Sequence, residues 1–363
     1  MARPSPSAEV RAALRHAAAQ SPFPPRGARV VVGLSGGQDS LCLLHALRNS
    51  ALGWTVVAVH VDHALRATSA ADSEQVRALG ERLGTRVEVV RVDVPAHRRR
   101  LGRGTSVQLA ARGARYQALA VASARLDAAA IFVGHTADDQ AETLLLHLLR
   151  GSGSAGLVGM RTWALVEPSA WGPAVEHLGQ PPQPGTWLAR PLLGVERRTT
   201  LAYCQMYGLP VIEDPSNRLR AYTRNRVRLD LLPALEAFNP AIRRVLSRTA
   251  GLLAEDEESL RSITEDLHAR LACATETGPI SYPRTAWSAL PRGLQRRLLR
   301  EGIRTLRGTL VNVSLGALDD ALDFVTPVRA GRRSYDLPGG LRLRAERERL
   351  YLEAREGLNL AGA

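Results

Sequence analysis

Four short β-branched runs, alternating with helix-like segments, constrain this chain more than any other feature. Arg29–Leu34, Thr55–Val61, Arg86–Val92 and Ala129–Gly134 are nearly continuously apolar. Strands that read this way are covered on both faces. Around them, Ser40–Asn49, Ser69–Leu83, Ser106–Leu126 and Ala137–Leu149 carry helical patterning. Such βαβα alternation implies parallel strands joined by right-handed crossovers, with helices on both faces. The expected fold class is α/β, a doubly wound parallel sheet. Glu167–Gly185, rich in Pro, Gly and Trp, reads as a surface loop or hairpin, and a further unit runs from Arg190 to Ile212. The character changes near residue 220. Arg226–Phe238 and Ala241–His268 read as helices, with Pro233 at a break, and Arg332–Ala354 reads as a hairpin around Pro338-Gly339-Gly340. The expected division is 1–220 for the α/β domain and 221–363 for a smaller, mainly helical C-terminal domain with a terminal β-hairpin.

The chain has 363 residues and a net charge of +13, and all 48 of its basic residues are Arg. The absence of Lys rules out a Walker-A lysine and a Schiff-base lysine. The charge favours a polyanionic partner, and the planar guanidinium suits phosphate. Cys42, Cys204 and Cys273 are far apart and form no CxxC pair, which argues against a disulfide framework, a zinc ribbon or a dithiol centre. No stretch is apolar for the ~18 residues of a membrane span. The first residues lack a signal-peptide pattern and read as a mobile lead into a short helix. The expected location is the cytoplasm.

Three motifs carry chemistry. Ser35-Gly36-Gly37-Gln38-Asp39-Ser40 joins a predicted strand to a predicted helix. Glycines there admit a phosphate to the N–H groups of the helix start, the serines add donors, and Asp39 could hold magnesium beside the phosphates. A plain tight turn with a Ser cap is the competing reading. His60-Val61-Asp62-His63 ends the second strand, where ligands of open α/β sheets bind. Nucleotide contact, metal ligation and structural hydrogen bonding all remain open for it. His135-Thr136-Ala137-Asp138-Asp139-Gln140-Ala141-Glu142 follows the fourth strand. Its acids could offset a helix dipole, hold a metal or ammonium cation, or work with His135 as acid or base. Arg112 and Arg115 lie on a predicted helix, and Arg224, Arg226 and Arg228 lie near the expected boundary. Arg98, Arg99, Arg100 and Arg103 form an expected loop cluster, and Arg296, Arg297, Arg300, Arg304 and Arg307 recur at helical spacing.

In order, SGGQDS, HVDHALR, ARGARY, GHTADDQAET, RGSGSAGLVGM, RPLL, EDPSN, TRNRVR and LLPALEAFNP, spanning roughly 29–240, resemble the tRNA(Ile)-lysidine synthases of the PP-loop ATPase superfamily. The resemblance implies an adenine nucleotide alpha hydrolase-like fold and a two-step reaction. ATP adenylates the C2 oxygen of the first anticodon cytidine of an isoleucine tRNA with a CAU anticodon. Free L-lysine then displaces AMP, giving lysidine. The resemblance carries ATP binding onto Ser35, Gly36, Gly37, Gln38, Asp39, Ser40, His60 and Arg112. It carries catalysis onto Asp39, His135, Asp138, Asp139 and Glu142, tRNA contact onto Arg115, Arg224, Arg226 and Arg228, and Mg2+ onto Asp39. A homodimer is compatible with it. The 167–185 segment looks longer than the usual family connection, and a second C-terminal domain of longer members is not expected here. A tRNA thiolase needs reactive cysteines or an iron–sulfur cluster, which the cysteine pattern disfavours. A GMP or NAD synthetase would leave the Arg-rich C-terminal half unexplained. A non-catalytic RNA-binding protein would not need an intact SGGQDS.

Overall fold

The computed structural model describes residues 4–20, 24–65, 68–102, 104–165, 174–175, 178, 185–212, 219–220, 222–273, 278–308, 310, 313–325 and 333–355. Arg66, Arg103, the Glu213–Asn217 motif and most of the 167–185 segment lie outside the described residues.

The first unit runs to Ala254. Its elements are α1 (Pro6–Ala18), β1 (Arg29–Gly33), α2 (Gln38–Arg48), β2 (Thr55–Asp62), α3 (Ser69–Arg82), β3 (Val87–Arg91), α4 (Val94–Leu101) and α5 (Val107–Arg125). They continue as β4 (Ala130–Phe132), α6 (Ala137–Leu149), α7 (Ser154–Leu157), β5 (Trp163–Leu165), β6 (Trp187–Ala189), α8 (Arg197–Met206) and α9 (Thr223–Arg226). A π-helical turn, Val227–Leu231, then leads into α10 (Leu232–Phe238) and α11 (Ile242–Leu271). The six strands form one sheet in the order β3-β2-β1-β4-β6-β5. All pairings are parallel except β5 against β6.

Successive strand residues point to opposite faces, and the core divides accordingly. Val30 and Val32 of β1 pack with Leu41 and Leu44 of α2 and with Leu79 of α3 on one face. Val31 of the same strand packs with Ala114, Ala118 and Leu119 of α5 on the other. Side-chain oxygens cap the helices where the sequence supplies them. Ser106 accepts from the Leu109 N–H at 3.2 Å and Asp93 from the Ala96 N–H at 2.8 Å.

The short helix expected after the N-terminal lead is α1, capped by Ser5, with Val10, Leu14 and Ala17 buried at helical spacing. One segment differs from expectation: Arg98–Arg100 stand on α4 rather than in a loop, because Asp93 and Pro95 start a helix there. The compact units also divide at Ala254 and Glu255 rather than near 220. The cause is packing: Val227 and Leu232 are buried against Ala141 and Leu145 of α6. Pro233 stands directly after the π-helical turn Val227–Leu231, so the α-helical ladder is interrupted where the break was expected, while the backbone stays helical through it.

The second unit, Glu255–Ala363, holds the end of α11 with β7 (Ile280–Pro283), α12 (Arg284–Ser288), α13 (Arg292–Arg307) and α14 (Leu315–Val325). It closes with β8 (Arg333–Leu337), β9 (Leu341–Ala345) and β10 (Arg349–Ala354). The expected hairpin exists as β8–β9, with Gly339 and Gly340 both at positive φ in its turn. It is part of a four-stranded antiparallel sheet, β7-β10-β9-β8. Leu298, Leu299 and Ile303 of α13 cover that sheet's buried residues. Several arginines of α13 are neutralised: Arg296 by Asp319 at 2.6 Å, Arg297 by Glu257 at 2.6 Å and Arg304 by Glu301.

Candidate active site

The strand order reverses at β1, with β2 on one side and β4 on the other. Ligands of open α/β sheets bind beyond the carboxyl ends of the strands at such a point. The Ser35–Ser40 turn leaves β1 there, and His135 follows β4.

Two glycines make the turn possible. Gly36 adopts φ +82°, and a Cβ on it would lie 3.0 Å from Ile212. A Cβ on Gly134 would lie 2.7 Å from the Asp39 carbonyl oxygen, so only glycine lets the end of β4 press against the first turn of α2. Gly37 caps α2, and among the described residues no side chain takes the N–H groups of the helix's first turn, which suits an anion. The Ser40 hydroxyl accepts from the Ser35 N–H at 3.1 Å and donates to the Gly37 carbonyl at 2.9 Å, fixing the loop. His60 lies with Nδ1 2.9 Å from the Leu34 carbonyl, which braces the chain just before the turn. Burial holds His60 below its ordinary pKa, against the hydrogen bond to Leu34. Gln38 belongs to the motif but its side chain turns away, donating to the Arg197 carbonyl at 2.7 Å and to Thr200 at 3.1 Å. It secures α8, and only its backbone remains for a phosphate.

Asp39 is the acid of this turn. Arg197 grips it at 2.9 Å and Thr200 donates to its other oxygen. Burial raises its pKa despite Arg197 and Thr200. A single carboxylate beside a phosphate cradle fits Mg2+, which keeps most of its water and phosphate ligands. Among the described residues no three His, Cys, Asp or Glu side chains converge to hold a metal by themselves. Asp62 instead accepts from the Ala64 N–H at 2.8 Å.

The acids of α6 are all neutralised by arginine. Asp138 accepts from Arg243 at 2.8 Å and from the Arg197 N–H at 2.7 Å. Asp139 accepts from the Thr136 N–H and hydroxyl, each at 3.0 Å, and from Arg224 at 3.0 Å. Glu142, with 0 % of its side chain exposed, accepts from Arg224 at 2.8 Å and from Arg228 at 2.6 Å. Arg224 and Arg228, expected to meet tRNA, therefore bind the acids expected to meet lysine. Arg226, on the same helical stretch, is exposed. Burial opposes ionisation of Asp139, yet Arg197, Arg224 and the Thr136 N–H hold its carboxyl below the usual range.

Beside these pairs lies an excess of positive charge. Arg112 and Arg115 stack near Tyr116, their guanidinium carbons 5.2 and 5.3 Å from the ring centre. Burial and the nearby Arg115, Arg224 and Arg190 lower the pKa of Arg112, which Tyr116 partly offsets. Burial raises the Tyr116 phenol, but Arg112, Arg115 and Arg190 outweigh it and bring it down. Burial, reinforced by Arg115, Arg190 and Arg112 against Asp139, holds His135 well below its ordinary pKa and therefore neutral. Among the described residues its Nδ1 is buried without a hydrogen-bond partner, as is Nε of Arg190. Guanidiniums gathered around a neutral imidazole are chemically suited to an anion.

Sequence reasoning missed Arg190, Arg197, Thr200 and Arg243. Arg190 stood in the quoted RPLL run, which was the only signal for it. The others come from helices whose spacing says nothing about the acids they meet.

Residues 8–235 match the PP-loop domain family. A tRNA(Ile)-lysidine synthase from Salinispora tropica is 39% identical over 93% of this chain and 93% of its own length. One from Thermobifida fusca is 36% identical over 97% of this chain and 98% of its own. One from Thermosynechococcus vestitus is 36% identical over 88% and 85%. A U34-tRNA thiolase from Methanococcus maripaludis, solved with its [4Fe-4S] cluster, superposes with a TM-score of 0.52 at 17% identity, covering 68% of this chain and 78% of its own. That likeness speaks to the fold alone. With a phosphate turn, an arginine-held acid set and relatives spanning nearly its whole length, the chain belongs to the PP-loop domain family and, within it, to the tRNA(Ile)-lysidine synthases.

Proposed function

We propose that this protein is a cytoplasmic ligase that joins free L-lysine to C2 of the first anticodon cytidine in an isoleucine tRNA with a CAU anticodon. The carrying observation is the meeting of the Ser35–Ser40 turn with the α6 acids at the β1/β4 switch point. In the first step the cytidine C2 oxygen attacks the α-phosphorus of ATP and pyrophosphate leaves. The α2 N-terminus, the two serines and the Arg112–Arg115–Arg190 group bind the negative charge that builds on the phosphates. A magnesium ion carried by ATP would take the Asp39 carboxylate and supply charge neutralisation at the leaving pyrophosphate. In the second step the neutral lysine ε-amine attacks C2, AMP leaves with the former C2 oxygen, and the attacking nitrogen releases one proton to solvent and keeps the other.

Lysine suits a charged cleft of about 350 Å³ that includes Asp138, Glu196, Glu236, Arg228 and Arg243. Carboxylates there can receive its ammonium groups and arginines its carboxylate. Neighbouring guanidiniums also favour the neutral amine needed for attack. His135, held neutral, serves as a hydrogen-bonding group at the reacting base.

A thiolase reading finds no support in the two cysteines of the first unit. Cys42 and Cys204 are buried, and burial pushes both up, Cys204 to about 12, so they remain protonated and unreactive.

The deciding experiment supplies ATP, labelled lysine and the CAU-anticodon isoleucine tRNA, followed by nuclease digestion and mass analysis. Lysine joined to cytidine with stoichiometric AMP is expected. Label on no nucleoside, beside a competent control enzyme, refutes the reading. Asp39→Ala should abolish AMP release and leave tRNA affinity unchanged; retained activity removes Asp39 from its role.

A further inference from the structure

A second concave surface lies outside the residues described above. Leu65, just after β2, together with Val94 and Pro95 of α4 and Val107 of α5, lines a cleft of about 410 Å³ that also includes Arg98 and Arg99. Its apolar lining is large enough for a nucleobase with its sugar. The rim is cationic. Arg98 donates to the Thr105 carbonyl at 2.7 Å, which fixes its guanidinium across the α4–α5 connection. Arg99 is exposed and has no acidic partner among the described residues. Gly102 and Gly104, at φ +93° and +92°, form the connection, and a Cβ on either would meet no atom. The wall there is low and the cleft opens to solvent.

Position adds a second argument. Leu65 follows β2 and α4 follows β3, so the cleft stands at the carboxyl edge of the sheet. That is the edge from which the phosphate turn and His135 emerge.

We propose that this cleft receives one unpaired nucleotide of the RNA substrate, flanking the base that reacts. Its base lies on Leu65, Pro95 and Val107, and its phosphate lies on Arg98 and Arg99. Apolar side chains and guanidinium planes both accept an unstacked base, and the guanidinium fork binds the adjoining phosphate. An apolar floor with an un-neutralised cationic rim fits a nucleotide better than a peptide, which would need acids at that rim. The proposal rests on the RNA substrate proposed above.

The test uses the full chain and a series of anticodon stem-loop RNAs, each abasic at one loop position, with affinity measured by filter binding across a salt series. One abasic position should cost the unsubstituted protein roughly tenfold in affinity. The same lesion should cost Leu65→Asp nothing. Arg99→Glu should weaken every RNA alike and flatten the log–log salt slope by about one. Both residues are exposed, so both variants should fold and bind ATP as the parent does. An abasic penalty that persists in Leu65→Asp, or an Arg99→Glu variant with unchanged affinity and slope, overturns the proposal. So does displacement by free AMP at the cleft with no effect on RNA. If lysine enters the tRNA while no abasic position couples to Leu65, the cleft alone fails. If no lysine enters, the substrate reading fails and takes the cleft with it.

Discussion

Replacing Glu142 by Gln removes one charge from the most deeply buried part of the site while keeping the side chain's shape. Glu142 has none of its side chain exposed and takes bonds from two guanidiniums, Arg224 at 2.8 Å and Arg228 at 2.6 and 3.1 Å. Removing one member of a buried ion pair costs about 3–5 kcal/mol, because the partner's charge is left uncompensated. Here the loss is partly offset. Asp139 still takes Arg224 at 3.0 Å and lies 3.7 Å from Arg228, and a Gln carbonyl still accepts one bond. The expected cost is therefore about 2–3 kcal/mol. At about 2–4 °C per kcal/mol for a unit of this size, the melting temperature should fall by roughly 4–12 °C. Calorimetry on the full chain reads this directly, with lysine incorporation measured in parallel well below the transition. If Glu142 served only to bind lysine, KM for lysine would rise and the melting temperature would stay. A fall of less than about 1 °C, against the scale above, refutes the structural account.

Gly134→Ala places a Cβ against the backbone of Asp39, which cannot yield. It should cut ATP-dependent AMP release by roughly a hundredfold, as about 1 Å of misplacement at a site can; a rate within twofold of the parent would show that β4 and α2 can part freely. His135 is held neutral in the folded state, so the unfolded chain binds more protons below its ordinary pKa of about 6.5. Stability from this group is full above that value and is lost as pH falls through it toward the folded pKa. His135→Gln should remove that loss, and denaturant melts of the two proteins from pH 7 to pH 5 should diverge; parallel curves would contradict it. Asp139 is depressed instead, so its contribution is present above about pH 4 and lost as pH falls below it. Asp139→Asn should therefore destabilise at pH 7 and converge on the parent in strong acid.

Much of the α/β unit was legible from the chain because its signals are local. β1 reads from a β-branched run between turn residues, and α6 begins and ends where Ala137–Leu149 predicted. The phosphate turn was legible for the same reason, since a strand, two glycines and a helix start lie within a few residues of one another. α4 was read differently, because a short Arg-rich helix carries little apolar periodicity and draws stability from its cap and a few buried residues.

The sequence alone determined the alternation of the first four strands with their helices, the glycine-rich cradle, the excess of arginine and the list of acids that could act. Tertiary structure decided which of those groups meet. Asp39 finds Arg197 and Thr200 from α8, and Glu142 finds Arg224 and Arg228 from beyond the expected boundary. It also turned Gln38 away from the phosphate and gathered Arg112, Arg115 and Arg190 around Tyr116. The physical reason is that backbone preference is set by neighbours in the chain. The charge state and freedom of a buried side chain are set by whatever packing brings within a few ångströms of it.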